Sequence, residues 1–373
     1  MIDYSSAQRI SRLTPLKAVL ELINAQVGAV APQRRTIAMT HGRALAEDVI
    51  SSACPEYPIA LRDGFAVAAA SVADAGPYAP VPLPATARRV DVGQSLPSGT
   101  DTVLPFDSVA LRGARAEAVA PVTAGEGVLS AGGDAAPRTT LRRTGERMRT
   151  VDVAAMQAAG IKDALIREPR VAVALGGEPG TRALGAAFEF SVGAVSDAGA
   201  AVLRNGPDIT LEGMVADADG DAIVAIGGTG SGQGDRAVQS LARLGRVEMH
   251  GIAISPGETA AFGFAGVRPV LLIPGRVDAA LAVWLLIGRH LVARLAAGRV
   301  EDVPLMMPLK RKVAAAIGLT ELIPVRCADG VAEPLASGYL SLESLARSDG
   351  WIVVPADSEG FAEGTLVAVR PWP

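Results

Sequence analysis

The glycine-rich residues 227–234 are a candidate anion-binding loop. They follow the apolar run Ala222–Ile226, end at Asp235 and precede a helix-like segment. Glycines let backbone N–H groups approach an anion closely, and the helix that follows adds its positive end. The spacing is not a dinucleotide fingerprint, because Gln233 stands at the third glycine position, and it lacks the Gly-Lys-Ser/Thr of a P-loop. The residues alone leave an anion loop and a tight structural turn as equal alternatives.

The carboxylate of Asp235 at the end of this loop has two interpretations. Beside a phosphate it would be repulsive unless a divalent cation lay between them, and Mg²⁺ accepts one or two carboxylates plus substrate oxygens. Alternatively, Asp235 caps the helix that follows. Other acidic residues stand at turn-like positions beside or near glycine, where ordinary turn chemistry also explains each of them. These are Asp63 in "LRDGFAV", Asp101 in "LPSGTDTVLP", Asp134 in "AGGDAAP" and Glu178 in "ALGGEPG".

Composition and the rare reactive residues argue against several classes of protein. Charged residues make up 20%, aromatic residues make up 4% and the formal net charge is −4, which disfavours a nucleic-acid binder. Cys54 and Cys327 lie far apart without a CxxC motif, so a disulfide framework or thiolate zinc site is not indicated. We therefore expect a reducing, cytoplasmic setting. The isolated histidines disfavour a histidine metal site or a Ser-His-Asp triad; they are His41, His250 and His290.

The elements that must position these groups begin with a helix. Thr14-Pro15 predicts its start, and an apolar stripe continues it to about Val27. Short strands punctuated by proline and glycine predict a small irregular β-domain between Pro55 and about Pro121. The first residues are polar and lack the apolar core of a signal peptide. Residues 279–297 are apolar but interrupted by charged residues, which favours a buried helix over a membrane span.

Four apolar runs after about Arg170 predict a parallel sheet covered by helices on both faces. The runs are residues 171–175, 222–226, 248–254 and 270–273. Ligands of such a sheet collect at the carboxyl ends of its strands, which is where residues 227–234 lie. Short strands after Gly298 predict a small C-terminal β-domain.

Taken in order, several stretches resemble the MoeA family of molybdenum-insertion proteins, which is shared with the gephyrin E domain. "LRDGFAV" resembles the family's Asp-Gly-Tyr/Phe-Ala motif, and "AIGGTGSGQGD" resembles its Gly-Gly loop ending in Asp. "ISPGETAAFGFAGVRPVLLIPGRVDAA" resembles its Pro-Gly-Lys and Leu-Pro-Gly-Asn-Pro pair, and "PLASGYLSLESLARSDGWIVVPADSEGFAEGTLVAV" resembles its C-terminal domain. The resemblance spans nearly the whole chain.

The resemblance implies a multidomain α/β and β protein, with a central parallel α/β domain of the molybdopterin-binding type, a small irregular β-domain and a C-terminal β-barrel-like domain. The implied limits are 1–54 with 122–168 for an N-terminal helical and linker domain, 55–121 for the small β-domain, 169–299 for the α/β domain and 300–373 for the C-terminal domain. A homodimer is implied, with a cleft between the α/β domain of one subunit and the small domain of the other. No nucleic-acid or membrane partner is expected.

The implied reaction is insertion of molybdate into adenylylated molybdopterin with release of AMP, assisted by a divalent cation such as Mg²⁺. A molybdoenzyme or another cofactor-synthesis protein is the further partner expected. The implied catalytic residues are Asp63, Asp134, Glu178 and Asp235, with Asp63 and Asp235 holding the metal. The implied substrate-binding residues are Gly227, Gly228, Thr229, Gly230, Ser231, Gly232, Asp208, Pro274, Gly275 and Arg276.

Departures from the family pattern affect the positions expected to attract anions. Glu258 stands where the family has a lysine, Ser255 replaces the basic residue before that motif, and Arg276 replaces the asparagine of Leu-Pro-Gly-Asn-Pro. Lost lysines should weaken attraction for molybdate and phosphate, and Arg276 is a candidate to compensate. Two alternatives to the transferase therefore stay open. One is a catalytically weak carrier or assembly factor that binds molybdopterin or the cofactor for a molybdoenzyme, and the other is a scaffold without a pterin ligand.

Overall fold

The computed structural model describes residues 8–113, 115–177, 180–204, 211–216, 219–300 and 302–372. The first part of the chain contains short strands and two helices, namely α1 (Leu16–Gln26), β1 (Gln33–Thr36), β2 (Ala44–Leu45), β3 (Val49–Ile50), β4 (Ile59–Ala60), β5 (Gly64–Val67), β6 (Val81–Pro82), β7 (Arg88–Val90), β8 (Thr102–Pro105), β9 (Val109–Arg112), β10 (Arg115–Ala118), β11 (Val128–Leu129), β12 (Thr140–Arg142), α2 (Thr150–Ala158) and β13 (Asp163–Arg167). The expected helix begins directly after Pro15, but the Thr14 side chain does not cap it.

Residues before and after the small β-region pair with each other. Strands β1 and β2 flank β13, and β3 pairs with β12, all antiparallel. The strands between them form their own ladders, in which β5 lies between β7 and β8, and β10 lies between β6 and β9. The small β-region is thus inserted into a unit made from two separate stretches of chain. Its residue limits stay predictions.

The middle of the chain alternates strands and helices around one sheet. Its elements are β14 (Arg170–Leu175), α3 (Arg182–Asp197), β15 (Ala201–Arg204), α4 (Leu211–Ala216), β16 (Ala222–Ile226), α5 (Ala237–Leu244), β17 (Arg246–His250), β18 (Ile254–Ser255), β19 (Ala261–Ala265), β20 (Arg268–Ile273), α6 (Val277–Val283) and α7 (Arg289–Leu295), with a π-helical segment Trp284–Gly288 joining the last two. The sheet order is β15-β14-β16-β20-β19-β17. The first four strands are parallel, and β19 and β17 are antiparallel additions.

Both faces of this sheet are covered, as the apolar runs predicted. Val171 and Val173 face a core that includes α1, α3 and α6, whereas Ala172 and Ala174 face a second core with α4 and α5. The prediction of a parallel strand over 248–254 was wrong. Gly251, at φ +91°, interrupts that run, which divides into the antiparallel edge strand β17 and the short strand β18.

The C-terminal region is a second, mostly antiparallel sheet. It contains β21 (Leu305–Pro308), β22 (Val313–Ala314), β23 (Thr320–Ala328), β24 (Val331–Pro334), α8 (Leu342–Arg347), β25 (Gly350–Val354), β26 (Gly360–Phe361) and β27 (Leu366–Pro371). Strand β18 pairs parallel to β23, which links this sheet to the α/β region. An isolated bridge between Leu309 and Ala332 joins the β21 side to β24. The sheet therefore curls back on itself without a continuous closing ladder.

The apolar residues 279–297 lie in the core, as predicted. Trp284 in their π-helical segment is 1% exposed. Across the described parts of the chain, no helix combines the length and apolarity needed to cross a bilayer.

Candidate functional site

Three glycine turns meet at the carboxyl ends of adjacent parallel strands. Gly176 follows β14, Gly227 and Gly228 follow β16, and Gly275 follows β20. A Cβ on Gly176 would lie 2.3 Å from the carbonyl oxygen of Gly227, and one on Gly228 would lie 2.4 Å from that of Gly176. Gly227 and Gly228 also have φ values of +89° and +71°. Glycine is therefore required here because the backbones touch and turn through the left-handed region.

The loop beyond Gly228 presents unpaired backbone donors. Within the described residues, no partner is found for the N–H groups of Thr229, Gly230 and Ser231. Two neighbouring side chains hold the loop at Thr229. The Thr229 hydroxyl lies 3.0 Å from that of Thr259, and His250 Nε2 donates to the Thr229 carbonyl at 3.1 Å. Consecutive free amides in a glycine-rich turn at strand ends can bind an anion. The sequence did not identify Thr259 and His250 as supports because both are distant from the loop along the chain.

Asp235 closes the loop on itself. Its Oδ2 accepts a hydrogen bond from the N–H of Gly232 at 2.8 Å, and a Cβ on Gly230 would lie 2.7 Å from the same oxygen. The side chain does not cap α5, whose N-cap residue is Arg236, so the helix-capping alternative is wrong. Oδ1 has no hydrogen-bond partner in the described part of the chain. One carboxylate oxygen is thus committed to the loop and the other is available to a ligand.

A buried side chain from the start of the described chain also holds this loop. Gln8 is 7% exposed, and its Nε2 donates to the carbonyl oxygens of Gly228 at 3.0 Å and Gly230 at 2.8 Å. Its Oε1 accepts from the N–H of Gln239 in the first turn of α5 at 3.0 Å. No motif in the sequence predicts this contact, which joins residues more than two hundred positions apart.

Arg276 stands beside the third glycine turn. Its guanidinium is bound to the buried carboxylate of Asp278 through Nε at 3.0 Å and through Nη2, and it lies 4.8 Å from the ring centre of Tyr339. The hydrogen bond with Asp278 is the main cause that raises the pKa of Arg276, and the charge of Glu258 acts in the same direction. The acidic residue found at the expected lysine position is therefore close enough to interact with Arg276. The guanidinium is 59% exposed, so it can still donate to a ligand at this edge of the sheet although Asp278 offsets its charge.

The other predicted acidic residues lie elsewhere or outside the described residues. Asp63 precedes β5 in the small β-region, where its exposed carboxylate accepts from the N–H of Val92 at 2.8 Å. Asp134 is exposed in a separate loop. Glu178 and Asp208 lie outside the described residues. In the described part of one chain, no three His, Cys, Asp or Glu side chains are grouped to hold a metal.

A sheet with glycine turns at its parallel strand ends, joined to an inserted β-region and a C-terminal β-sheet, defines the class of protein. Residues 14–160 match the MoeA N-terminal region (domain I and II), residues 193–294 match a probable molybdopterin binding domain, and residues 307–372 match the MoeA C-terminal region (domain IV). The chain belongs to the MoeA family.

Individual relatives agree with this assignment. A Methanocaldococcus jannaschii protein named for molybdopterin biosynthesis is 34% identical over 155 residues, which are 40% of this chain and 36% of that protein. Molybdopterin molybdenumtransferase 1 of Mycobacterium tuberculosis is 26% identical, over 93% of this chain and 96% of its own. The crystal structure of the molybdopterin biosynthesis MoeA protein from Pyrococcus horikoshii OT3 is similar in fold, with a TM-score of 0.71 at 22% identity, covering 97% of this chain and 100% of that one. Transferase names among the relatives do not favour the carrier alternative.

Proposed function

We propose that this chain is a molybdopterin molybdenumtransferase, which inserts molybdate into adenylylated molybdopterin and releases AMP. The observation that carries the proposal is the loop of free amides at Thr229, Gly230 and Ser231, placed where the three glycine turns meet. Family membership supplies the substrate class, and the loop supplies a binding site for the anionic part of that substrate.

In this proposal the backbone amides bind phosphate oxygens of the adenylylated pterin. They donate hydrogen bonds without adding a bulky side chain, so the pyrophosphate can lie directly against the turn. Gly275 leaves room beside the loop, and the exposed Arg276 guanidinium, already bound to Asp278, offers further N–H donors to molybdate or phosphate. As charge builds up on the departing phosphate, these preorganised donors would stabilise it.

A divalent cation fits this site only together with the substrate. The free Oδ1 of Asp235 offers one protein ligand, and Mg²⁺ commonly combines one or two carboxylates with substrate oxygens. When bound, the cation would neutralise phosphate charge. We assign Asp63 as the second carboxylate, with Asp134 and Glu178 as acidic residues that position water, and Asp208 as a substrate contact.

We also propose that Asp63 reaches the site from the second subunit of a homodimer. Leu61, two residues before Asp63, is 55% exposed, Val92, whose N–H donates to Asp63, is 61% exposed, and Tyr57 earlier in the same region is 62% exposed. Burial of such a patch is expected at a subunit interface. Sedimentation analysis tests this, because Leu61→Asp should produce monomers, whereas the distant exposed substitution Val267→Asp should leave the dimer intact. A monomeric unsubstituted protein would contradict the assignment.

The reaction itself is tested by measuring AMP release from adenylylated molybdopterin in the presence of molybdate and Mg²⁺. Asp235→Asn keeps an oxygen that can accept from Gly232 but removes the charge, so we expect a lower kcat and a higher Mg²⁺ requirement with an intact loop. Gln233→Ala, an exposed change in the same loop, is the control. Absence of AMP release, with substrate proved competent by another member of the family, would refute the transferase.

The rearranged charges give a second test. Glu258→Gln removes a negative charge close to Arg276 and should lower the KM for molybdate, whereas Arg276→Ala should raise it about tenfold, the effect of losing one charge-assisted contact. Arg299→Ala, an exposed arginine in a different region, is the control. An unchanged KM in Arg276→Ala would show that this guanidinium does not compensate for the missing lysine.

Two expectations complete the proposal. The thiols of Cys54 and Cys327 are both free, which suits the reducing cytoplasmic setting expected from the sequence. The partner expected to receive the product is a molybdoenzyme or another cofactor-synthesis protein, and co-purification from cells making a tagged chain would identify it.

A further inference from the structure

The first residues of the described chain form an arm, residues 8–14, that lies against the α/β region. Thr14 fixes one end, because its N–H donates to the Gly251 carbonyl at 2.9 Å and its carbonyl accepts from Ala253 at 2.8 Å. Ile10 packs on the backbone beside it, since a Cβ on Gly251 would lie 2.4 Å from the Ile10 side chain. These contacts place Gln8 at the glycine loop.

Gln8 uses both ends of its side-chain amide to join the glycine loop to the first turn of α5. Arg236 gives α5 no side-chain cap, and the first N–H groups of a helix have no partners within the helix. The Gln8 oxygen accepts from one of these, at Gln239, while its nitrogen donates to the carbonyls of Gly228 and Gly230. The contact is buried, so water competes poorly for any of the three hydrogen bonds.

These bonds contribute to the direction in which the loop amides point, together with a hydrogen bond from the N–H of Ala237 to the Gly228 carbonyl at 2.9 Å. In a trans peptide, the carbonyl of one residue and the N–H of the next point in opposite directions. Because the carbonyls of Gly228 and Gly230 point towards Gln8, the N–H groups of Thr229 and Ser231 point away from it. Those are two of the loop donors that have no partner among the described residues.

We infer that Gln8 is a positioning residue, which holds the glycine loop in the form that directs the Thr229 and Ser231 amides to a phosphate oxyanion. The identity of the phosphate as part of the adenylylated pterin rests on the proposed function, but the control of loop geometry by Gln8 does not. The arm is thus part of the substrate site although Gln8 itself contacts only protein.

Two substitutions separate the role in the loop from the role at the helix. Gln8→Ala removes all three hydrogen bonds. Gln8→Glu at pH 8 keeps an acceptor for Gln239 but places a carboxylate against the carbonyls of Gly228 and Gly230, which repel it. Ser11→Ala, an exposed neutral change in the same arm, is the matched control.

Hydrogen exchange of the full-length protein is the first measurement. We expect the Gln239 amide to lose protection in Gln8→Ala and to keep it in Gln8→Glu, while exchange around Asp235 and Gly232 accelerates in both. Unchanged exchange across residues 228–240 in Gln8→Ala would overturn the inference. This measurement needs no ligand, so it stands even if the proposed transferase reaction fails.

Binding of AMP by calorimetry and steady-state kinetics are the second measurement. We expect both variants to weaken AMP binding about tenfold and to raise the KM for the pterin substrate with little change in kcat, because a phosphate contact made throughout the reaction contributes uniform binding. A purely structural role would instead give normal AMP affinity in Gln8→Glu, which would also overturn the inference. If unsubstituted protein neither binds AMP nor turns over, the proposed function fails and the exchange result alone decides the role of Gln8.

Discussion

Gly228→Ala is the substitution that most directly tests the meeting of the glycine turns. Its Cβ would lie 2.4 Å from the carbonyl oxygen of Gly176 and 3.1 Å from the Cβ of Ala237. The first neighbour is backbone at the end of β14, and the second is the first residue of α5, so neither can rotate away. Residue 228 also has φ +71°, which alanine adopts only with strain.

The expected cost has two contributions. The left-handed backbone costs an alanine about 1 kcal/mol, and crowding against a fixed backbone adds roughly 2 kcal/mol. Gly160→Ala isolates the first contribution, because Gly160 has φ +75° and no atom of the described residues lies within 4 Å of the added Cβ. Gly177→Ala is the control within the site, since its nearest neighbours lie at 3.7 Å or beyond and its φ is not positive.

Native-state hydrogen exchange measures these costs locally, which suits a chain of several units better than one unfolding midpoint. We expect the opening free energy of β14 and β16 to fall by about 3 kcal/mol in Gly228→Ala and to change little in Gly177→Ala. AMP affinity should fall at least about tenfold in Gly228→Ala, because the loop donors move with the turn. A Gly228→Ala protein that resembles Gly177→Ala in both measurements would refute the close approach on which the site is built.

Two further predictions concern the units that support the site. Hydrogen bonding from Arg149 holds the pKa of the buried Asp152 below its usual range. The stabilisation that this carboxylate gives the fold is therefore complete above the unfolded pKa of about 3.9 and is lost as the pH falls through the lower folded value. We expect Asp152→Asn to be less stable at pH 7 and less sensitive to acid in urea titrations between pH 3 and 7, and an unaltered acid slope would contradict this. Gly288→Ala should destabilise the protein by about 2 kcal/mol and shift tryptophan fluorescence, because its Cβ would lie 2.3 Å from the Trp284 ring. The control is Gly193→Ala on α3, which should stabilise the protein by about 0.5–1 kcal/mol because its Cβ would meet no atom of the described residues within 4 Å. Equal effects of the two substitutions would contradict the crowding at Gly288.

The sequence predicted the elements whose burial is uniform along the chain. Strands β14, β16 and β20 are buried on both faces, so their residues form uninterrupted apolar runs. The prediction failed for residues 248–254. The antiparallel edge strand β17 is only half-buried, and after the turn at Gly251 the chain enters β18, which pairs with β23 of the C-terminal sheet. Strand β19 was not predicted because Gly263 interrupts it, and that glycine is there because Arg246 backbone lies 2.1 Å from where a Cβ would be.

The candidate site was less predictable, because its geometry depends on contacts distant in sequence. The glycine-rich residues 227–234 and Asp235 could be identified from their place after a buried strand. The partners that orient them could not, because Gln8, Thr259 and His250 carry no local pattern that indicates a loop more than twenty residues away. The same limit applies to Arg276, whose proximity to Glu258 and Tyr339 follows only from the fold.

The sequence left two alternatives for the glycine-rich residues 227–234, an anion-binding loop and a tight structural turn. Each alternative describes a different part of this segment. Gly227 and Gly228 satisfy the structural alternative, since they permit the turn and the backbone contact with Gly176. Beyond them, the loop has small residues for another reason: a Cβ on Gly230 would lie 2.7 Å from the Asp235 carboxylate that accepts from Gly232. Gly227 and Gly228 therefore hold the start of the loop against the sheet. Gly230 leaves the space that the Asp235 carboxylate needs to reach the loop. Protein groups take up the carbonyls of Gly228 and Gly230 and one oxygen of Asp235, whereas the amides of residues 229–231 have no partner among the described residues and can bind an anion.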